Sequence, residues 1–150
     1  MKRLFALLLS FVLVFITSCT REASAEAVLR ELCRVYPINA VVYSSRASEY
    51  EDGYISEDML VALYGESDIP ASEIAVVMYG DVGAAREIGA FTVRTGSERM
   101  RLFELATERI NFLSSFVDGE GFVKKYHGVM VYGFVDDALS VERVLDSLLG

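Results

Sequence analysis

The sequence predicts an α+β domain whose antiparallel sheet has about four strands in a ββαββα order, with helices on one face of the sheet and two further helices before it. Segments 73–79 and 129–135 consist mostly of apolar residues, which is typical of buried strands. Segments 97–117 and 138–149 carry apolar residues at helical spacing instead. Turn residues, several of them glycine, separate neighbouring strand segments and indicate hairpins.

Two helices are predicted before the sheet. The first covers 25–36, with Ser24 as its N-cap, and Pro37 ends it. The second follows Ser56 as N-cap and ends at Gly65, a residue suited to the left-handed conformation that commonly stops a helix.

The remaining elements follow the second helix. Asp118–Gly121 is predicted to end the long helix, and Asp136 or Asp137 is placed to cap the last one. In chain order, the elements are a hairpin of 73–79 and 87–94, a helix over 97–117, a hairpin of 122–126 and 129–135, and a helix over 138–149.

The segment between the first two helices is polar and rich in tyrosine. Residues 40–43 are compatible with a short strand, and the residues up to 55 are predicted to form an exposed loop. Tyr43, Tyr50 and Tyr54 are candidate binding residues, because a tyrosine offers contact area and a hydroxyl at a low entropic cost. The alternative is that one or two of them pack onto the domain and hold the loop in place.

The N-terminus has the pattern of an export signal. Lys2 and Arg3 precede an apolar run from Leu4 to Ile16, which is shorter than the roughly 20 residues that a membrane-spanning helix needs. We therefore expect 1–18 to be a signal peptide, 19–24 to be a lipidated cysteine with its tether, and 25–150 to be a single domain.

The end of the apolar run resembles a bacterial lipobox. Ile16-Thr17-Ser18-Cys19 places an aliphatic residue and two small ones before a cysteine. The resemblance implies cleavage before Cys19 and a thioether-linked diacylglyceryl group on it. Two acyl chains suffice for stable anchoring, so the membrane is the first expected partner. The alternative is secretion after cleavage at Ala23-Ser24-Ala25, which has the A-x-A form of an ordinary signal-peptidase site.

Composition excludes several functional classes. The chain has 14 Lys and Arg against 22 Asp and Glu, a formal net charge of −8. This balance argues against nucleic-acid binding and against docking on anionic lipid through basic charge. With one His and two Cys, a standard zinc site cannot be assembled, and we expect no metal or other cofactor. Cys33 is interpreted as a small core residue of the first helix.

No catalytic constellation is recognisable, so the sequence predicts a protein that is not an enzyme. His127 is interpreted as an exposed turn residue, and no Gly-x-Ser-x-Gly segment accompanies it. A hydrolase would need the carboxylates of 49–58 and 136–137 to meet in one cleft. Helix capping accounts for Asp136 and Asp137, and a solvated loop accounts for the others, Glu49, Glu51, Asp52 and Glu57.

A resemblance to a known family supports the predicted localisation and the fold class. The lipobox, the segment Leu60-Val61-Ala62-Leu63-Tyr64-Gly65 and the strand Glu73-Ile74-Ala75-Val76-Val77 are similar to small lipoproteins of Gram-positive bacteria catalogued as domain of unknown function number 4358. The resemblance covers about 55–149. It departs from the family at the short Asp118–Gly121 turn and at the tyrosine-rich segment 43–54. It implies an α+β fold but no substrate and no functional residues.

Taken together, these observations predict a lipid-anchored protein on the extracytoplasmic side of the cell membrane. We expect it to be a non-catalytic interaction module that binds another protein of the cell envelope. The alternative function is an extracytoplasmic small-molecule or peptide binding protein that uses the tyrosine-rich loop 43–54.

Overall fold

A computed structural model describes residues 24–81 and 84–150; the predicted signal peptide, Cys19 and the rest of the tether up to residue 23 lie outside the described residues. The described chain forms four helices and five strands. In chain order they are α1 (Ala25–Val35), β1 (Val42–Ser44), α2 (Glu57–Tyr64), β2 (Glu73–Tyr79), β3 (Arg86–Thr92), α3 (Gly96–Ser114), β4 (Glu120–Lys125), β5 (Val129–Val135) and α4 (Ala138–Leu149).

The α+β class and the antiparallel sheet are confirmed. The sheet contains five strands in the order β1-β2-β3-β5-β4, and every neighbouring pair is antiparallel. The prediction of about four strands is wrong because β1, in the segment expected to be mostly loop, pairs with β2 at the edge of the sheet.

Helices cover both faces of the sheet, so the prediction of helices on one face is also wrong. On one face, α1 and α4 pack against a set that includes Ala75, Val77, Ile88 and Val131. On the other face, α2 and α3 pack against Ile74, Val76, Phe91, Met130 and Tyr132. Successive strand residues point to opposite faces. Strands that are apolar at every position therefore need cover on both sides.

Local signals place most helix ends. Ser24 and Ser56 are the N-caps of α1 and α2, as predicted, and Gly65 ends α2 with a positive φ of 78°. Asp137 caps α4 through the Ser140 amide. The long helix begins one residue earlier than predicted, because Thr95 caps it in a reciprocal pair of hydrogen bonds with Glu98.

A buried carboxylate fastens α1 to the sheet. Glu73, only 5% exposed, accepts hydrogen bonds from the Glu26 amide at 2.9 Å and from the Ser24 hydroxyl at 2.8 Å. Thr92, its partner across β2 and β3, accepts from the Ala25 amide at 3.1 Å. Amide groups that no helical carbonyl can satisfy are therefore satisfied by the sheet, where the helix dipole favours a negative charge.

This contact defines two ends of the sheet. The entry end holds Glu73 and Thr92, and the described chain enters there at Ser24. The far end holds Tyr79 and Arg86, which pair at the opposite limit of the same two strands. Six residue steps separate the two ends, which corresponds to about 20 Å.

A glycine in β3 makes room for the largest side chain of the core. Gly89 pairs with Tyr132 across β3 and β5, and the Tyr132 ring lies over the glycine. A Cβ atom at Gly89 would be 2.2 Å from Tyr132 Cε1. The ring could not stay where it is, and Tyr132 is fully buried.

We expect Gly89→Ala to lower the free energy of unfolding by about 2–4 kcal/mol, because the displaced ring is overpacked and loses its hydrogen bonds. Urea unfolding followed by circular dichroism measures the change. The matched control is Gly96→Ala at the start of α3, where an added Cβ would meet nothing within 4 Å. If Gly89→Ala lowered the free energy of unfolding no more than Gly96→Ala, the Tyr132 ring would not be confined by Gly89.

Candidate functional site

Four polar side chains meet under the face of the sheet that α2 and α3 cover. We call Tyr64, Glu87, Arg109 and Tyr132 the polar cluster; they come from α2, β3, α3 and β5, respectively. Glu87 is 2% exposed, and Tyr132 is fully buried. Such groups are costly to bury without partners, so the contacts among them determine what the cluster can do.

An ion pair of forked geometry lies at the centre of the cluster. Arg109 Nε donates to the two Glu87 oxygens at 3.0 and 3.1 Å, and Nη2 donates to Oε2 at 2.6 Å. Burial by itself would lower the pKa of Arg109, but the hydrogen bonds and negative charge of Glu87 outweigh it, and the pKa is raised. The guanidinium group therefore stays charged and held in one orientation.

Two phenols extend the cluster away from the ion pair. Tyr132 Oη donates to Glu87 Oε1 at 2.6 Å, and Tyr64 Oη lies 2.9 Å from Tyr132 Oη. Tyr132 gives its only proton to the carboxylate, so Tyr64 is the donor in the second bond. Burial is the main cause that raises the pKa of both hydroxyls, and the Glu87 charge adds to it. Both phenols are therefore neutral at physiological pH.

The cluster joins two helices and two strands through hydrogen bonds. The Glu87 carboxylate accepts from Arg109 and from Tyr132, so both oxygens are occupied. Arg109 Nη1 differs, because it makes no hydrogen bond among the described residues and is not buried. An approaching molecule could accept a hydrogen bond from this nitrogen.

Arg109 lies between two clefts. The first, of about 320 Å³, is at the far end of the sheet and is lined by Met78, Tyr79, Arg86, Glu87, Arg109 and Leu113, among others. The second, of about 310 Å³, runs between α2 and α3. We call it the Phe112 groove; its principal lining residues are Val61, Tyr64, Leu105, Glu108, Arg109 and Phe112.

Exposed apolar side chains surround the Phe112 groove. Phe112 is 54% exposed and Val61 48% exposed, and both line it. Phe116, 72% exposed, follows one helical turn later with its ring centroid 5.0 Å from that of Phe112. The Arg109 guanidinium lies 5.3 Å from the Phe112 ring centroid, a cation–π contact that steadies the ring.

The three tyrosines predicted as binding residues have different surroundings. Tyr43 lies in β1 and packs against the core under α2 and α3. Tyr54 is half-buried and forms an isolated bridge with Ser44. Tyr50 is 95% exposed. Two of the three thus help to hold the loop against the domain, and Tyr50 alone among them is presented fully to solvent.

The acidic groups considered for hydrolysis do not meet. The segment 49–58 follows β1 at the entry end, whereas Asp136 and Asp137 follow β5 at the far end. Asp136 pairs with Arg86, and Asp137 caps α4. The structure therefore provides no common cleft for these carboxylates.

His127 and Cys33 have ordinary environments. His127 is exposed at the turn between β4 and β5, next to Gly128 with its positive φ of 76°. Cys33 is half-buried against the core, and burial raises the pKa of its thiol. A protonated thiol is a poor nucleophile at neutral pH.

The described part of the chain offers neither a cluster of metal ligands nor a membrane span. Within residues 24–81 and 84–150, no three His, Cys, Asp or Glu side chains come close enough together to hold a metal ion. None of the helices in these two stretches combines the length and apolarity that a membrane span requires.

Sequence reasoning did not single out the polar cluster. Two signals could have suggested it: Glu87 is a charged residue within a strand, and Arg109 falls on the inward stripe of α3 with Leu102 and Leu113. A buried cation needs a buried anion, and these two candidates are the ones that meet. The contributions of Tyr64 and Tyr132 had no comparable signal, because tyrosines are common in cores.

Comparisons with protein-family models, with curated proteins and with solved structures found no match. The fold and the site define the class: an α+β domain with a buried polar cluster beside an open, partly apolar groove.

Alkaline pH should destabilise the protein through the buried phenols. The folded state keeps the Tyr64 and Tyr132 protons that an unfolded chain releases near pH 10. The contribution of each such tyrosine to the free energy of unfolding is thus fully present below pH 10. Above pH 10 this contribution falls by about 1.4 kcal/mol per pH unit. Burial also raises the pKa of Tyr79, to about 12, so it contributes in the same window.

Urea unfolding between pH 9 and 12 measures this slope. We expect Tyr64→Phe to reduce it by about 1.4 kcal/mol per pH unit, and Tyr50→Phe, a change at a fully exposed side chain, to leave it unaltered. Equal slopes in the wild-type and Tyr64→Phe proteins would contradict the buried, neutral state of this phenol.

Removing the charge of Glu87 should be strongly destabilising. In Glu87→Gln, Arg109 keeps its charge in a nearly buried position without an anion, and we expect a loss of about 3–5 kcal/mol in the free energy of unfolding. Glu104→Gln is the control, because its pair with Arg101 is about half exposed and should contribute below about 1 kcal/mol. Similar losses of unfolding free energy in both variants would show that the buried pair contributes no more to stability than the exposed pair.

Proposed function

We propose that this chain is a lipid-anchored extracytoplasmic protein whose domain is a non-catalytic interaction module at the cell envelope. The observation that carries the proposal is the segment Ile16-Thr17-Ser18-Cys19 directly after a short apolar run. A diacylglyceryl group on Cys19 would hold the mature protein stably to the membrane.

The position where the domain begins supports an anchored arrangement. Only five residue steps separate Cys19 from Ser24, which is already bonded to Glu73 at the entry end of the sheet. Five steps of extended chain reach at most about 17 Å. The entry end would therefore lie near the bilayer, and Arg109 at the other half of the sheet would lie farther from it.

The surface of the domain supports interaction as the activity. Val61, Phe112 and Phe116 are exposed apolar side chains close together around one groove. Clustered apolar exposure of this kind marks binding surfaces more often than scattered single residues do. The buried carboxylate nearest to the groove, Glu87, has both oxygens occupied by internal donors, which favours a structural role for it.

The alternative is a binding protein for small molecules or peptides that uses the loop 43–54. Tyr50 favours it, because this side chain is 95% exposed on that loop. A thermal-shift screen tests this alternative, since a ligand of the folded state raises the melting temperature and Tyr50→Ala should abolish the shift. A shift that persists in Tyr50→Ala would exclude the loop as the site.

The anchor is tested by Cys19→Ala. We expect the native protein to fractionate with membranes and to have the intact mass of a chain that begins at Cys19 with a diacylglyceryl group. We expect Cys19→Ala to lack this modification, because no thiol is left to form the thioether.

Cys33→Ala is the matched control and should keep both the membrane fraction and the lipid mass, since Cys33 is half-buried in α1. A native mature chain that begins at Glu26 and carries no lipid would overturn the anchor and favour secretion.

A further inference from the structure

We infer that the Phe112 groove is a docking site for a basic amphipathic segment of another envelope protein, with an apolar side chain in the groove and Lys or Arg side chains at its rim. The inference rests on the proposed function, because it names the surface by which the anchored domain would interact. It is carried by the shape and apolar lining of the groove, by the charges around it and by the free donor of Arg109.

The groove can accept an apolar side chain. Its lining includes Leu105, which is buried, and Val61 and Phe112, which are about half exposed on its two sides. A volume of about 310 Å³ holds one or two large side chains. Phe116 extends the apolar surface beyond the groove, since its ring contacts that of Phe112. An apolar residue inserted here would cover side chains that are now exposed to water.

The rim of the groove is acidic. Glu57 and Asp58 precede Val61 by four and three residues and so lie on its side of α2. Glu104 and Glu108 precede Phe112 by eight and four residues and lie on its side of α3. Arg101 is paired with Glu66 and Glu104, and Arg109 with Glu87, which leaves Glu57, Asp58 and Glu108 without an ion pair among the described residues. The uncompensated charge therefore selects a basic partner.

Arg109 also lines the groove and can donate a hydrogen bond to a docked segment. Its Nε and Nη2 are held by Glu87, whereas Nη1 has no hydrogen-bond partner among the described residues. A guanidinium group that is fixed on one side offers a pre-organised donor on the other. A backbone carbonyl of the docked segment is a suitable acceptor, because it brings no additional negative charge to the acidic rim.

Two other occupants fit less well. A second copy of this chain would bring one acidic rim against another, and the chain has a net charge of −8. An anionic lipid surface would be repelled by the same carboxylates. Phe116 also follows the C-terminal turn of α3, which runs from the entry end toward the far end of the sheet, away from Ser24.

A labelled 14-residue peptide of Leu and Lys in amphipathic order is the probe, and a peptide with Glu in place of every Lys is its charge control. Binding is measured by fluorescence anisotropy. The protein is purified from membranes and placed in nanodiscs of neutral phosphatidylcholine. If Cys19 proves to carry no lipid, it is purified from the medium. Peptide binding can thus be measured whether or not Cys19 carries lipid. A failure of the anchor is therefore distinguishable from a failure of peptide binding.

We expect the Lys peptide to bind and the Glu peptide to bind at least tenfold more weakly. Phe112→Ala should weaken Lys-peptide binding about tenfold or more, as the loss of a central aromatic anchor does. Glu108→Gln should weaken it several-fold and reduce its dependence on salt. Leu139→Ala is the matched control, because Leu139 is 64% exposed on α4 on the other face of the sheet and should have no effect.

Phe116→Ala provides a second groove variant, since Phe116 is 72% exposed and its truncation should not disturb folding. The inference is overturned if the Lys peptide does not bind, if Leu139→Ala weakens binding as much as Phe112→Ala, or if the Glu peptide binds equally well. It is also overturned if sedimentation shows a dimer that Phe112→Ala dissociates, or if vesicles of phosphatidylglycerol bind the native protein but not Phe112→Ala.

Discussion

The ion pair of Glu87 with Arg109 is the constraint on which the arrangement of this face depends. A carboxylate that is 2% exposed is tolerated only when it is paired and fully hydrogen-bonded. Arg109 satisfies it from α3, and Tyr132 satisfies it from β5. Tyr64 then joins α2 to the same chain of donors. One buried charge therefore sets the positions of two helices relative to two strands, and the groove between those helices inherits its shape from this pair.

A second buried carboxylate organises the other face in a different way. The Glu73 carboxylate accepts hydrogen bonds from a backbone amide and a hydroxyl at the start of α1. Arg46, 3.6 Å away, is a more distant and largely exposed cation. The helix dipole takes the place of the close guanidinium partner found at Glu87. The two carboxylates lie on opposite faces and near opposite ends of the sheet. Each face thus contains a buried carboxylate that is hydrogen-bonded to a helix, which restricts how the helices can slide.

Features set by residues close together in the sequence were predictable, whereas contacts between distant residues were not. Ser56 and Gly65 act on backbone groups within a few residues, so the limits of α2 were predictable. The strands are apolar on both faces, which by itself requires helices on both sides of the sheet, so the prediction of helices on one face disagreed with this local pattern. The polar cluster joins residues as far apart as Tyr64 and Tyr132, 68 positions from each other, and no local pattern reports such a meeting.

The proposed anchor at Cys19 would give these contacts a functional consequence. If the chain is anchored at Cys19, the entry end of the sheet would stay close to the membrane, because only four residues lie between Cys19 and Ser24, which is bonded to Glu73. The Glu87–Arg109 pair holds α3 on the sheet, with Phe112 and Phe116 near the end of this helix that lies farther from Ser24. The two buried carboxylates would thus have separate roles, since Glu73 would hold the entry end near the proposed anchor and Glu87 would shape the surface that a partner meets.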